Sequence, residues 1–240
     1  MPKRLALPAL IGALLTGCAP AQLGATDEGA VTQASWADRA ARWPASEDGV
    51  ARISVCWETP GFLVEKQRVR DAIEGSWVAV AQVELTGWAD CSAGAAEVRI
   101  LVADDWPTVA YDGQQSLFGT KLSHAKDGVT LNLQFELWEP GWDCERTGDG
   151  GSHGCIEVYA MHEFGHVLGF LHEQDRPDAP RCDDGSEWRS GTDVADALAL
   201  SDYDPGSVMN YCNPAPYALS ALDIAGVQRW YGARVADARR

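Results

Sequence analysis

The chain has 240 residues, is 46% hydrophobic and carries a formal charge of −16 at pH 7. That surplus of acid repels polyphosphates and anionic lipid headgroups, so it argues against nucleic acid and anionic membrane surfaces as partners. Beyond the first seventeen residues no apolar stretch approaches the roughly 20 residues needed to cross a bilayer, and no internal repeat or low-complexity block is present.

Residues 1–17 read as a signal peptide. Lys3 and Arg4 supply a positive start and Leu5–Leu15 an apolar run too short to span a membrane. Leu15-Thr16-Gly17-Cys18 resembles the lipobox of bacterial lipoproteins, in which the cysteine is lipidated and becomes the new N-terminus. A small-x-small cleavage site at Ala19-Pro20-Ala21 is the competing reading. The lipobox is preferred because it directly ends the apolar run. Either way the chain is exported: anchored by a lipid on Cys18 to the outer membrane or cell surface, or else secreted.

Residues 18–50 are rich in Ala, Gly, Thr and acids and read as a tether or short pro-segment, with a short helix around Trp36–Trp43 that Pro44 ends. A single domain is expected over 51–235. A strand is predicted at Arg52–Trp57. Val69, Ala72, Ile73 and Trp77 follow helical spacing and predict one helix from about Phe62 to Val80. Strands are predicted at Val83–Thr86 and Val98–Val102. Val129, Leu131, Leu133 and Phe135 alternate with polar residues and predict a half-buried strand. A helix is expected over about Ile156–Leu168, then irregular chain over 173–218. Ser220-Ala221-Leu222-Asp223 predicts a capping box opening a last helix that ends near Trp230, with Gly232 beyond it.

Seven cysteines are present, and six remain when Cys18 is set aside: Cys56, Cys91, Cys144, Cys155, Cys182 and Cys212. An even number in an exported chain implies disulfides. The sequence leaves their connectivity open; the nearest pairs are Cys56–Cys91, Cys144–Cys155 and Cys182–Cys212.

The residues that carry chemistry lie at 162–172. Three of the five histidines fall there, in His162-Glu163-Phe164-Gly165-His166-Val167-Leu168-Gly169-Phe170-Leu171-His172. His162 and His166 are one helical turn apart and share a face, so both imidazoles can reach one Zn²⁺. Glu163 can reach a zinc-bound water without ligating the metal. Gly169 can end the helix in a left-handed conformation and let the chain bring back His172 as third ligand. Three protein ligands leave a fourth position open, the pattern of a catalytic rather than a structural zinc site.

This extended motif resembles the metzincin class of metallopeptidases. The continuation His172-Glu173-Gln174-Asp175-Arg176-Pro177-Asp178 resembles the astacin family. Ser207-Val208-Met209-Asn210-Tyr211 is similar to the astacin Met-turn, and Leu219–Gln228 to the last helix of astacins and matrixins. The resemblance implies an α+β fold: a twisted mixed sheet, two long helices above a zinc cleft, and an irregular lower part with the Met-turn and a C-terminal helix. It implies a zinc endopeptidase acting on extended polypeptides. Its ligands would be His162, His166, His172 and Tyr211, with Glu163 as general base and Tyr211 able to leave the metal during turnover. Ser116-Leu117-Phe118-Gly119 resembles the segment carrying the substrate-binding edge strand.

Asn210 stands where astacins commonly have His, and the cysteine they often place before the edge-strand segment is absent. No inhibitory propeptide Asp is evident. Phe164 is a matrixin-like choice, and Pro180-Arg181-Cys182-Asp183 resembles the matrixin cysteine switch, although it follows the zinc motif; Cys182 is read as half a disulfide. Asp143 and Asp149 could ligate Ca²⁺, but a solvated loop is the preferred reading because no D-x-D-x-D-G spacing occurs. His124 and His153 read as loop residues. A non-catalytic, zinc-containing surface-binding lipoprotein and a matrixin-like peptidase are the alternative readings.

Overall fold

Five strands form one twisted sheet in the order β3-β2-β4-β6-β5. These are β2 (Ala51–Trp57), β3 (Val83–Asp90), β4 (Val98–Val102), β5 (Thr108–Val109) and β6 (Val129–Leu131), with β1 (Trp36–Asp38) outside this sheet. β2, β3, β4 and β6 run parallel, while β5 runs antiparallel to β6 and forms one edge. In this computed structural model the described residues are 35–92, 96–137, 153–182, 194, 197–200, 202–212 and 217–235. Among the described residues the α-helices are α1 (Leu63–Gly75), α2 (Trp77–Val80), α3 (His153–Val167) and α4 (Ala221–Tyr231), and a further strand is β7 (Ala197–Ala199). The architecture is the expected α+β one: a mixed sheet, two long helices α1 and α3 packed on each other, and a largely irregular lower part closed by α4.

The core lies between sheet and helices. Ile53, Val55, Val83, Val98, Ile100 and Val129 from the sheet are buried with Val69 and Ile73 of α1 and Phe164 and Val167 of α3. The strands predicted at Arg52–Trp57 and Val98–Val102 are both present, and each turns buried apolar residues toward the helices.

Local chemistry explains where elements differ from expectation. The single helix predicted over Phe62–Val80 breaks at Ser76, whose hydroxyl donates to the carbonyl of Ala72 (2.6 Å) in place of a continued backbone ladder. β3 runs on to Asp90 instead of ending at Thr86, because a bulge at Trp88 restores the pairing, with Val55 opposite Gly87 and Cys56 opposite Ala89. The bulge stacks the Trp88 ring on Phe164 of α3, 5.8 Å away. β6 stops at Leu131 because Asn132 begins a turn: its Oδ1 accepts from the N–H groups of Gln134 and Phe135, and its Nδ2 donates to Asp104.

The stretch 35–43, expected as tether with a short helix, is instead packed into the domain, so the fold starts upstream of residue 51. β1 pairs antiparallel with β7. Asp38 is fully buried, caps the 3₁₀ turn Arg39–Ala41 through its Oδ1 and receives the ammonium of Lys121 at 2.6 Å. Trp43 is buried and its indole N–H donates to the Val167 carbonyl at 2.7 Å. An isolated apolar residue in a polar context carries no periodic signal, so this docking could not be read locally.

Disulfides join Cys56 to Cys91 and Cys182 to Cys212, as the nearest-pair reading had it. Cys155 is disulfide-bonded as well. Its expected partner Cys144 lies outside the described residues, as do Cys18 and the signal and anchor segment.

Candidate functional site

α3 carries the site. It ends at Val167, and Gly169 follows at φ +92°, the left-handed turn expected of that glycine. The carbonyls left over at the helix end are capped from far away in sequence. Trp43 serves Val167, and the Tyr231 hydroxyl donates to Leu168 (2.9 Å). β1 then clamps the chain leaving the turn: Asp38 N–H donates to Gly169, and Leu171 N–H to Trp36. This clamp directs His172 back toward the helix.

The Nε2 atom of His172 lies 3.0 Å from Nε2 of His166 and 3.2 Å from Nε2 of His162. The outer nitrogens of the two helical histidines face carbonyls: His162 Nδ1 is 2.8 Å from the Val208 oxygen and His166 Nδ1 2.8 Å from the Phe170 oxygen. A carbonyl can only accept, so each Nδ1 carries the proton and each Nε2 presents a lone pair. Lone pairs converging this closely repel unless a cation lies between them. Three nitrogens at about 2.0–2.1 Å from a tetrahedral zinc stand about 3.3–3.4 Å apart, close to the spacing found. The residues present therefore fit a zinc ion, and among the described residues this is the one such group of His, Cys or acidic side chains.

Burial pushes His162 down to about 3, helped by the neighbouring His172, and lowers His166 well below the usual imidazole range. Both imidazoles are neutral at physiological pH. Glu163 is 1% exposed, its Oε2 has no hydrogen-bond partner, and burial pushes its carboxyl up to about 8. An unpartnered oxygen in so dry a place is costly, unless a nearby cation and its water supply what the protein does not.

Tyr211 lies against the same cluster. Its ring stacks on His162 at 4.9 Å and tilts against His172 at 4.5 Å. Gln174 holds its backbone, accepting the Tyr211 N–H at 3.0 Å. The Trp106 indole hydrogen-bonds its hydroxyl and packs edge-on to the ring at 6.4 Å. Burial and the nearby Glu163 raise its phenol well above the usual range.

The residues after His172 form a latch in which Glu173 and Arg176 are buried and Asp178 is exposed. Glu173 accepts the Asp204 N–H (2.9 Å) and faces Arg176 at 3.3 Å, while Arg176 holds Asp178 through two bonds of 2.8 and 2.9 Å. The Glu173 N–H donates to the Met209 carbonyl. Asp223, within the capping box of α4, accepts from Ser207 Oγ (2.6 Å) and Val208 N–H (2.9 Å), so the last helix holds the Met-turn in place.

All five residues singled out in the sequence — His162, Glu163, His166, His172 and Tyr211 — thus come together. Asn210 turns away, donating to the Tyr203 hydroxyl and the Asp204 carbonyl. Cys182 is tied to Cys212, and His124 lies on the surface. Asp143 and Asp149 lie outside the described residues, and His153 begins α3 rather than lying in a loop. The segment 116–119 is not itself the edge strand: it bridges back to Tyr111 and enters the 3₁₀ turn Gly119–Leu122, while β5 forms the edge. Gly165, Trp106, Gln174 and Asp175 were not singled out. Gly165 lies inside the zinc motif and Gln174 and Asp175 inside the run that follows it, whereas Trp106 carried no local signal.

No protein-family profile and no curated protein matches the sequence. Among solved structures, the chain resembles one of myroilysin at 19% identity and a TM-score of 0.56, over 83% of this chain and 100% of that one. A second, a crystal structure of myroilysin, shares 19% identity at a TM-score of 0.47 over 81% and 87%. High choriolytic enzyme 1, a hatching enzyme zinc-protease from the medaka fish Oryzias latipes, shares 17% identity at a TM-score of 0.44 over 81% and 96%. At this identity the first match establishes a shared fold, and the TM-scores of the other two add nothing to it.

Proposed function

We propose that this chain is an exported, astacin-like zinc endopeptidase that cleaves extended polypeptides outside the cytoplasm. The observation that carries the reading is the convergence of three Nε2 atoms at 3.0 and 3.2 Å beside the buried, unpartnered carboxylate oxygen of Glu163. A purely structural site has no use for that carboxylate. His162, His166 and His172 would hold a zinc ion, which would supply a Lewis acid able to acidify water and polarise the scissile carbonyl. Glu163, whose carboxyl a cation held by the three imidazoles would keep ionised despite its burial, takes a proton at its free oxygen and returns it to the leaving amine. The Tyr211 hydroxyl donates to the oxygen on which negative charge develops. The edge strand β5 takes the substrate as an added strand, which orients the scissile bond.

Export follows from the signal-like N-terminus and suits the disulfides. Cys18 carries the lipid in this reading, and among the described residues no helix is long and apolar enough to cross a membrane. Cys18→Ala should abolish acylation, whereas a mature wild-type N-terminus at Gln22 would show an ordinary secretory cut instead.

The decisive experiment is incubation with casein and a peptide library, with and without 1,10-phenanthroline, using Glu163→Gln as control. Wild type should cleave, chelation should stop it, and Glu163→Gln should keep one zinc yet lose at least about 10³-fold in rate. Zinc binding without any cleavage would favour the non-catalytic surface lipoprotein.

A further inference from the structure

Of the three outer imidazole nitrogens, two face backbone carbonyls and the third faces a carboxylate. Nδ1 of His172 lies 3.6 Å from Oδ2 of Asp175, whose side chain is 4% exposed. That distance is longer than a hydrogen bond and within ion-pair range. The 3₁₀ turn Glu173–Asp175 creates it, bringing the residue three positions on from His172 back beneath its ring. The Asp175 N–H donates to the His172 carbonyl at 3.2 Å, so the turn itself holds the pair together.

We propose that Asp175 is a positioning residue of the metal site, which acts through His172 to strengthen the hold on zinc. The inference rests on the reading of the three histidines as zinc ligands. When the Nε2 lone pair of His172 is given to a cation, the ring's proton must sit on Nδ1, and the cation draws electron density from that N–H. A buried carboxylate on the far side meets the polarised N–H more strongly than a carbonyl can, because the pair carries charge where water does not screen it. Asp175 thereby fixes the tautomer and orientation of the ligand delivered by irregular chain. The helix already orients the other two. The carboxylate also makes the imidazole a better donor, so the extra hold is concentrated on the ligand that the fold constrains least.

The test is zinc affinity, measured on the full chain by competition with a chromophoric chelator, and it needs no activity. Asp175→Asn keeps the shape of the side chain and removes its charge. It should weaken zinc binding about 10–100-fold while leaving the unfolding temperature of the metal-free protein unchanged. In a His172→Ala background the same substitution should cause no further loss, because the carboxylate then has no imidazole to act through. Wild-type affinity in Asp175→Asn overturns the inference and leaves the zinc site standing. Equal losses in both backgrounds also overturn it, showing that Asp175 acts through the fold or as general charge. Failure of the wild type to take up one zinc overturns the zinc reading itself, and the inference with it.

Discussion

The sulfur of Met209 occupies the place that a Cβ on Gly165 would need. Gly165 lies on the zinc helix between His162 and His166, and Met209 is 3% exposed in the turn beneath it. Helix and Met-turn touch with no atom to spare, so the two halves of the site are fitted to each other directly. Trp77 closes the same contact from the other side, 3.3 Å from where that Cβ would be.

Gly165→Ala should therefore destabilise the protein by about 1–3 kcal/mol, the usual scale for an extra methyl in a filled core. It should also weaken zinc binding, because either the buried Met209 side chain or the helix itself must shift to admit the methyl. Met209→Ala in the same chain removes the obstruction and should recover part of both losses. Chemical unfolding and zinc stoichiometry of the two single variants and the double variant check this; additive losses would show that the contact is not what excludes the methyl.

Tyr211→Phe removes one oxygen from a ring packed on His162 and His172. Zinc should stay, since the three imidazoles are untouched. The loss should fall on kcat, by roughly 10²–10³-fold, the scale of one lost oxyanion donor. Trp106→Phe, which withdraws the indole partner of that hydroxyl, should move kcat the same way by less. Steady-state kinetics on one peptide would reveal an unchanged kcat if Tyr211 served packing alone.

The disulfide between Cys182 and Cys212 closes a loop of sequence separation 30 and ends one residue beyond Tyr211. Replacing both cysteines with serine should cost about 2–4 kcal/mol by loosening the unfolded chain's constraint. Non-reducing peptide mapping should recover the 182–212 linkage from exported protein, and a free Cys182 thiol would revive the cysteine-switch reading.

Asp223 receives the Ser207 hydroxyl and the N–H groups of Val208 and Ser220, and it is 1% exposed. Asp223→Ala leaves these buried donors without an acceptor and should cost about 2–4 kcal/mol. Since Val208 accepts the His162 Nδ1–H, zinc affinity should fall along with stability. Calorimetry and chelator competition on this variant would separate the two effects.

Removing the metal should lower the unfolding temperature, because a ligand that binds only the folded chain stabilises it by about 2.7 kcal/mol at 100 times its Kd. The shift on adding zinc to stripped protein should be large for wild type and small for His172→Ala. Scanning calorimetry across a series of free zinc concentrations measures it.

Much of the site was readable in the residues because its chemistry is local. The spacing of His162 and His166, the carboxylate at Glu163 and the left-handed turn at Gly169 all act within eleven residues, where helix geometry alone sets distances. The strands predicted at Arg52–Trp57 and Val98–Val102 and the capping box at Ser220 were readable for the same reason, whereas the disulfides 56–91 and 182–212 span 35 and 30 positions, so that sequence proximity suggested them and only the fold decided them. What only the tertiary structure decided is how distant segments complete that motif. Trp43 caps a helix end 124 positions away, β1 clamps the turn that delivers His172, Met209 fits beneath Gly165, and Trp106 reaches Tyr211. The stretch at 35–43 looked like a tether because it has no period of its own. Its apolar residues match pockets made by other parts of the chain, and such complementarity exists only once those parts have packed.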